Sequence, residues 1–356
     1  VGSGADLTGV ASTENIRTNT NATFLQNINV GVAITTGKLG IGFTDTNVKV
    51  GNTALDSQTT GTDNTAVGDK ALTANTTGYR NTAIGFEALT ANTTGEEGTA
   101  VGRFALKTNT TGNQNTAVGR NALKDNTTGA RNTAVGVNAL EGNTTANDNT
   151  SVGYFALDAN TTGAANVAVG AYALDANTTT SYSTAVGYYA LSANTTGTEN
   201  VAVGYASLIK NTTGDKNTSV GYDALGENTT ADENTALGYY ALNVNTTGAE
   251  NTSVGSYSLY LNTTGSSNVA IGRNSLGANT TASANTSVGK SALSANTTGE
   301  NNTAVGKDAL ESNTTASYNT AIGALALDAN TTGAINVAIG YGALGANTTA
   351  SSNVAV

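Results

Sequence analysis

Apolar and polar positions in this chain recur with one period. From Asn47 the sequence re-registers every 17 residues through eighteen complete copies, and a nineteenth begins at Asn353. A typical copy is Asn115 to Arg131, NTAVGRNALKDNTTGAR. Its fifth position is Gly in all eighteen copies and its ninth is Leu in all eighteen, from Leu55 to Leu344. The fourth is Val, Ile or Leu, the twelfth is Asn except for Gln58, and the thirteenth and fourteenth are Thr throughout. Identity confined to single positions while their neighbours drift is what stacked rungs demand, because each residue then touches its own counterpart above and below. Helical repeats need about 33 residues or more, and a Gly plus an Asn-Thr-Thr cluster in every copy opposes helix. Rungs of extended strand fit.

In Thr-Ala-Val-Gly, strand alternation puts positions two and four on one face and position three on the other. Positions two, four and nine are expected to fill the coil interior. Position three, nearly always Ala or Ser as at Ala117, Ser151 and Ala168, is expected to face a close neighbouring chain. Gly at position five turns a corner, since Gly takes positive φ without steric cost. Asn-Thr-Thr-Gly turns the second corner, with Asn side chains hydrogen-bonded in a column. The fold class is therefore all-β, a parallel β-solenoid of 17-residue rungs over residues 47–356, preceded by a non-repeat connecting segment, residues 1–46. With rungs about 4.8 Å apart, eighteen make a rod about 85 Å long.

Composition agrees with a thin core. The chain has 43 Gly and no Pro, Cys, Met, Trp or His. Only 11% of residues are charged, with a net charge of −10, so the basic footprint of a nucleic-acid binder is missing. No apolar run reaches the roughly 20 residues of a membrane span. Without His or Cys, and with no carboxylate repeated in a fixed column, neither acid–base nor nucleophilic catalysis has its residues. No enzyme activity, cofactor or metal is expected. Scattered acids such as Asp158, Asp175, Asp223, Asp232 and Asp328 read as solvated surface. The absent initiator Met and the stop partway through a repeat at Val356 suggest a segment of a longer chain.

Positions six and seven gather Phe86, Phe104, Tyr154, Phe155, Tyr172, Tyr188, Tyr189, Tyr205, Tyr222, Tyr239, Tyr240, Tyr257 and Tyr341, crowded between Tyr154 and Tyr257. Such a stripe serves either as a receptor- or glycan-binding face, Tyr offering flat apolar area with a polar tip, or as a stacked ladder that stiffens the rod. Seventeen Asn-Thr-Thr triplets match the N-glycosylation pattern, but one per rung is better explained as a turn. The Thr-Thr array also raises an ice-binding reading, since regular hydroxyls and methyls on a rigid face order water.

The runs Asn268 to Ser275 (NVAIGRNS) and Asn336 to Ala343 (NVAIGYGA) resemble the head repeat of YadA-like trimeric autotransporter adhesins. That resemblance covers residues 47–356 and implies a left-handed parallel β-roll, a homotrimer and a role in attachment. The repeat departs from the family in length, 17 residues here against about 14 there, with the extra residues around Asn-Thr-Thr. The segments Gly2 to Val10, Asn15 to Val30 and Lys38 to Thr46 look like those between repeats in tail fibres of marine and cyanobacterial bacteriophages. Within residues 1–46, Ser12 to Gln26 reads as a short helix or extended stretch and Gly31 to Asp45 as strand. The combined expectation is the structural and adhesive shaft of a trimeric phage tail fibre, extracellular on the virion. Its partners would be itself, a host cell-surface receptor or glycan, and other fibre or virion proteins, without nucleic acid or membrane insertion. A bacterial cell-surface trimeric adhesin is the alternative.

Overall fold

The computed structural model describes residues 46–356; the expectations for Ser12 to Gln26 and Gly31 to Asp45 lie outside them. The described residues form a parallel β-solenoid with one short strand per rung, from β1 (Val48–Val50) to β19 (Val354–Ala355). Each strand pairs with the next in parallel and in register, so Thr116 meets Thr133, Ala117 meets Ala134 and Val118 meets Val135. The offset is one repeat throughout, and like therefore stacks on like. Inter-rung bonding extends beyond the strands. Leu72 N donates to Ala88 O at 3.0 Å, Thr76 N to Thr93 O at 2.9 Å and Arg80 N to Thr62 O at 3.0 Å, which tie down the turns as well.

The strand faces the other way from the expectation. Position three, Ala or Ser, is the inward one: Ala66, Ala117, Ala185 and Ser151 are fully buried. Positions two and four point outward, and Ile84, Leu237 and Ile271 are 40–47% exposed. The coil is too narrow for more. Its interior is filled by Leu at position nine and by the small residues at positions three and eight, and a branched side chain at position three would meet the Leu column. Alternation gives the two faces, and available width, not side-chain bulk, decides which of them is inside. Leu at position nine is buried as expected, from Leu72 to Leu327.

Two asparagine columns close the coil. At position twelve, Asn92 Nδ2 donates to Asn75 Oδ1 of the preceding rung and to Gly95 O within its own turn, both at 2.9 Å. At position one, Asn81 Nδ2 reaches Gly95 O at 2.8 Å while its Oδ1 accepts Gly98 N at 2.8 Å. Both columns are buried, and nearly every amide in them has its partners, which removes the usual penalty for burying one. Buried serines are satisfied likewise: Ser207 Oγ donates to Ser219 Oγ at 2.7 Å, and Ser219 Oγ to Ala224 O at 2.7 Å.

Gly at position five turns the corner at φ near +136° in Gly68, and a Cβ there would lie 2.5 Å from Gly85 O of the next rung. Conformation and close approach both require Gly. The same rung carries three further left-handed residues, at positions seven, nine and seventeen. Tyr189 (φ 56°), Leu191 (φ 54°) and Glu199 (φ 58°) show the pattern in one copy.

Candidate functional surfaces

Rungs give the molecule columns in place of a cleft. The aromatic column begins just after the Gly corner. Tyr154, Tyr188, Tyr205, Tyr222 and Tyr239 at position six project outward, 43–48% exposed, while Phe155, Tyr172, Tyr189 and Tyr240 at position seven lie half-buried beside them. Tyr257, also at position seven, is exposed. The ten residues expected to form a stripe do come together. Tyr172 stacks on Tyr189 with centroids 5.0 Å apart and planes 8° from parallel. Where Ala206 interrupts position seven, the stack passes to position six through an edge contact, Tyr188 to Tyr189 at 4.4 Å. It continues through Tyr205 and Tyr222, 5.0 Å apart at 10°. It returns at Tyr239 and Tyr240, 4.5 Å apart edge to face.

Tyr260 extends the chain of rings and was missed in the sequence. It stands at position ten, outside the aromatic columns, yet the turn brings it 5.4 Å from Tyr257. Its signal was the three-residue spacing from Tyr257 across a tight turn. Packing against neighbouring rings withdraws the Tyr240 phenol from water and pushes its pKa up to about 12. A hydrogen bond with Tyr189 raises that of Tyr188. A smaller cluster of Phe86 and Phe104, 5.6 Å apart, carries cations over its rings, with Arg103 4.3 Å and Lys107 4.5 Å from the Phe104 centroid. Tyr341 stands apart at 81% exposure.

The stacking bears on binding. A sugar ring recognises an aromatic side chain through its face, and Tyr205 and Tyr222 each have a neighbouring ring stacked on both faces. Ring edges and hydroxyls are what remain for solvent.

A second surface is the outward side of the sheet, where Thr or Val at position two and Val, Ile or Leu at position four repeat on every rung. Eighteen rungs of a three-residue strand make a strip of about 850 Å².

The Asn-Thr-Thr edge is the third. Position thirteen is bound into the ladder, as Thr93 Oγ1 donates to Thr110 O at 3.0 Å, so only the position-fourteen hydroxyls face solvent freely. Asn75 to Asn330 at position twelve are buried with their Nδ2 atoms engaged, which leaves them unsuited to carry a glycan.

Charges pair up and down the rod. Arg131 and Asp148 meet at 2.6 Å, Lys124 and Glu141 at 2.8 Å, and Lys107 and Glu87 at 2.8 Å. The expectation that the scattered acids are solvated fails for three of them. Glu141, Asp158 and Asp175 share position ten on consecutive rungs, with Asp158 and Asp175 half-buried. Loss of hydration, then repulsion from Glu141 and Asp175, pushes the Asp158 carboxyl up to about 6. Burial also raises Asp175, whose Oδ1 has no hydrogen-bond partner, and Asp223. A surface depression of about 330 Å³, lined by Tyr79, Glu97, Gln114 and Arg131, is flanked by charges already paired with each other. Among the described residues no three His, Cys, Asp or Glu side chains converge as metal ligands, and no helix is long and apolar enough to cross a membrane.

No protein-family model and no curated protein matches this chain. The surfaces define a repeat protein of the parallel β-solenoid class.

Proposed function

We propose that this chain is the structural and adhesive shaft of a trimeric bacteriophage tail fibre, carrying host-surface contacts at a distance from the particle. The observation that carries the reading is the outward sheet face. A rod with an unbroken column of Val, Ile or Leu at position four, flanked by Thr or Val at position two, is built to pack lengthwise against copies of itself. With a geometric footprint of about 850 Å², the face is on the scale of the roughly 800 Å² per partner that a stable interface buries. Three such strips facing one axis close a cyclic assembly and leave no apolar strip outside. The chain-to-chain contact expected of small position-three residues thus passes to position four.

The mechanism is passive. A shaft supplies reach, and three copies multiply individually weak contacts with a receptor or glycan through avidity. Segments 1–46 with their phage-fibre resemblance favour the virion over the bacterial cell surface, and NVAIGRNS at Asn268 to Ser275 favours the latter. A virion-attachment module or a secretion signal with a membrane anchor, found in the full-length chain, separates the two.

Mass in solution tests the assembly. Sedimentation should give three times the 35.3 kDa of one chain. A monodisperse monomer with a stable fold would overturn the trimer. Thermal hysteresis in the cold would favour instead the ice-binding reading of the Thr-Thr array.

A further inference from the structure

We propose that the tyrosine column at position six is a site of oxidative modification, in which phenols of adjacent rungs, above all Tyr205 and Tyr222, join as dityrosine. The proposal concerns a single chain and stands whether or not three chains assemble.

Register supplies the first argument. Tyr188, Tyr205, Tyr222 and Tyr239 occupy one position on four consecutive rungs, with centroids 5.7, 5.0 and 5.4 Å apart. Two phenoxyl radicals formed there are held together by a ladder that does not let them diffuse apart, which raises the effective concentration of one for the other. Opening the stacked pair like a hinge brings the ring carbons ortho to the two oxygens into contact without moving the backbone.

Access supplies the second. These four side chains are 43–48% exposed, so an oxidant reaches them from solvent. Composition supplies the third. The chain has no Cys, Met, Trp or His, the side chains that would otherwise divert oxidation, and tyrosine is its remaining easily oxidised group. The ladder from Tyr154 to Tyr260 keeps each ring within 6.3 Å of another, so an electron lost at one end can be replaced from a neighbour until two radicals become adjacent.

The chemistry balances with a one-electron oxidant of the peroxidase or photo-oxidised metal-complex class. Each of two phenols gives one electron to the oxidant and its hydroxyl proton to solvent. The two radicals form a carbon–carbon bond between ortho positions, and the hydrogen on each joined carbon moves to its own oxygen. Two electrons and two protons are lost in all. The product is a covalent staple between rungs in a chain that has no cysteine for a disulfide.

The test uses the full chain at low concentration with a photo-oxidised ruthenium polypyridyl complex and persulfate. Trypsin cuts after Lys210 and Lys216, which lie between Tyr205 and Tyr222, so the joint links two otherwise separate peptides, residues 132–210 and 217–273. Expected are dityrosine emission, an unchanged single-chain band on a denaturing gel, and that joined pair lighter by two hydrogens. Tyr222→Phe retains the stacked ring and should lose most of the joined pair. Tyr318→Phe, which removes an isolated phenol 63% exposed, should leave it unchanged. Covalent oligomers joined through Tyr182, Tyr318 or Tyr341, equal loss in both variants, or the same yield of the pair from urea-unfolded chain would each overturn the proposal.

Discussion

The inner and outer surfaces of this coil obey different rules. Inside, Ala, Leu and Asn repeat with little variation, are fully buried and meet their own kind on the next rung. Outside, positions six, seven, ten and seventeen hold anything from Tyr to Lys, yet the same stacking makes each neighbour matter. The inner surface accepts only small exchanges such as Ser for Ala, because width is fixed. The outer one is selective only where adjacent rungs carry unfavourable pairs, as at Asp158 and Asp175. Solenoid energetics make this comparison measurable, since each rung interacts with its two neighbours alone.

The largest expected effect is inside. Leu191→Asp places a carboxylate in a fully buried apolar column, which should cost more than about 4 kcal/mol and unfold neighbouring rungs with it. Thermal unfolding by circular dichroism reads this directly. An unchanged melting curve would mean that the Leu column is not the core.

The second prediction separates the two faces of one strand. Ala185→Leu overfills the interior and should cost about 1–3 kcal/mol or more, whereas Val186→Leu beside it should change the stability of an isolated chain by no more than about 0.5 kcal/mol. Urea unfolding of both variants settles the orientation. The reverse ranking would restore the inward Val and outward Ala that side-chain bulk suggests.

That inversion shows what was legible. Period, parallel stacking, the Gly corner, the Asn columns and the aromatic stripe all followed from columns of identity, because stacking in register is a property of sequence spacing. Which strand face points inward did not follow. Alternation gives two faces, and choosing between them depends on coil width, set by how Leu72 packs beside Asn64 and Asn75, whose Nδ2 atoms both donate to Gly78 O. Burial of Asp158 was hidden for the same reason. Position ten varies freely, and only the turn shows that it folds back beside position seven, as when Asn243 Nδ2 donates to Asp223 O at 2.7 Å. Left-handed Leu at position nine carries no sequence mark at all, since Leu rarely takes that conformation.

The third prediction concerns charge outside. With its native value near 6, above the 3.8 of an unperturbed carboxyl, Asp158 holds its proton more tightly in the folded rod than in the unfolded chain. Stability from this group is therefore present at low pH and lost as pH rises through about 4 to 6. Glu87 and Asp148, lowered by hydrogen bonds from Lys107 and Arg131, act oppositely and weaken the rod only as pH falls below the usual carboxylate range. Asp158→Asn should abolish the loss between pH 4 and 6 and gain on the order of 1–2 kcal/mol at pH 7, discounted for partial solvation. Asn243 shows that the column accepts an amide. Melting temperatures across that range check it, and a variant whose pH profile overlays the parent's would remove Asp158 as the cause.

The smallest effect tests the backbone alone. Ile335 at position seventeen sits in the left-handed region at φ 59° with its side chain 60% exposed, so it contributes little burial to offset the conformational cost. Left-handed backbone costs a non-Gly residue about 1–2 kcal/mol, more for a β-branched one, while Asn enters it readily. The rung two turns earlier carries Asn301 at the same position with φ 56°. Ile335→Asn should therefore raise stability by about 0.5–1 kcal/mol, read as a higher urea midpoint with an unchanged slope. Loss of stability would show that the exposed Ile335 side chain contributes packing that outweighs its backbone, and the outer surface would then share the inner one's intolerance.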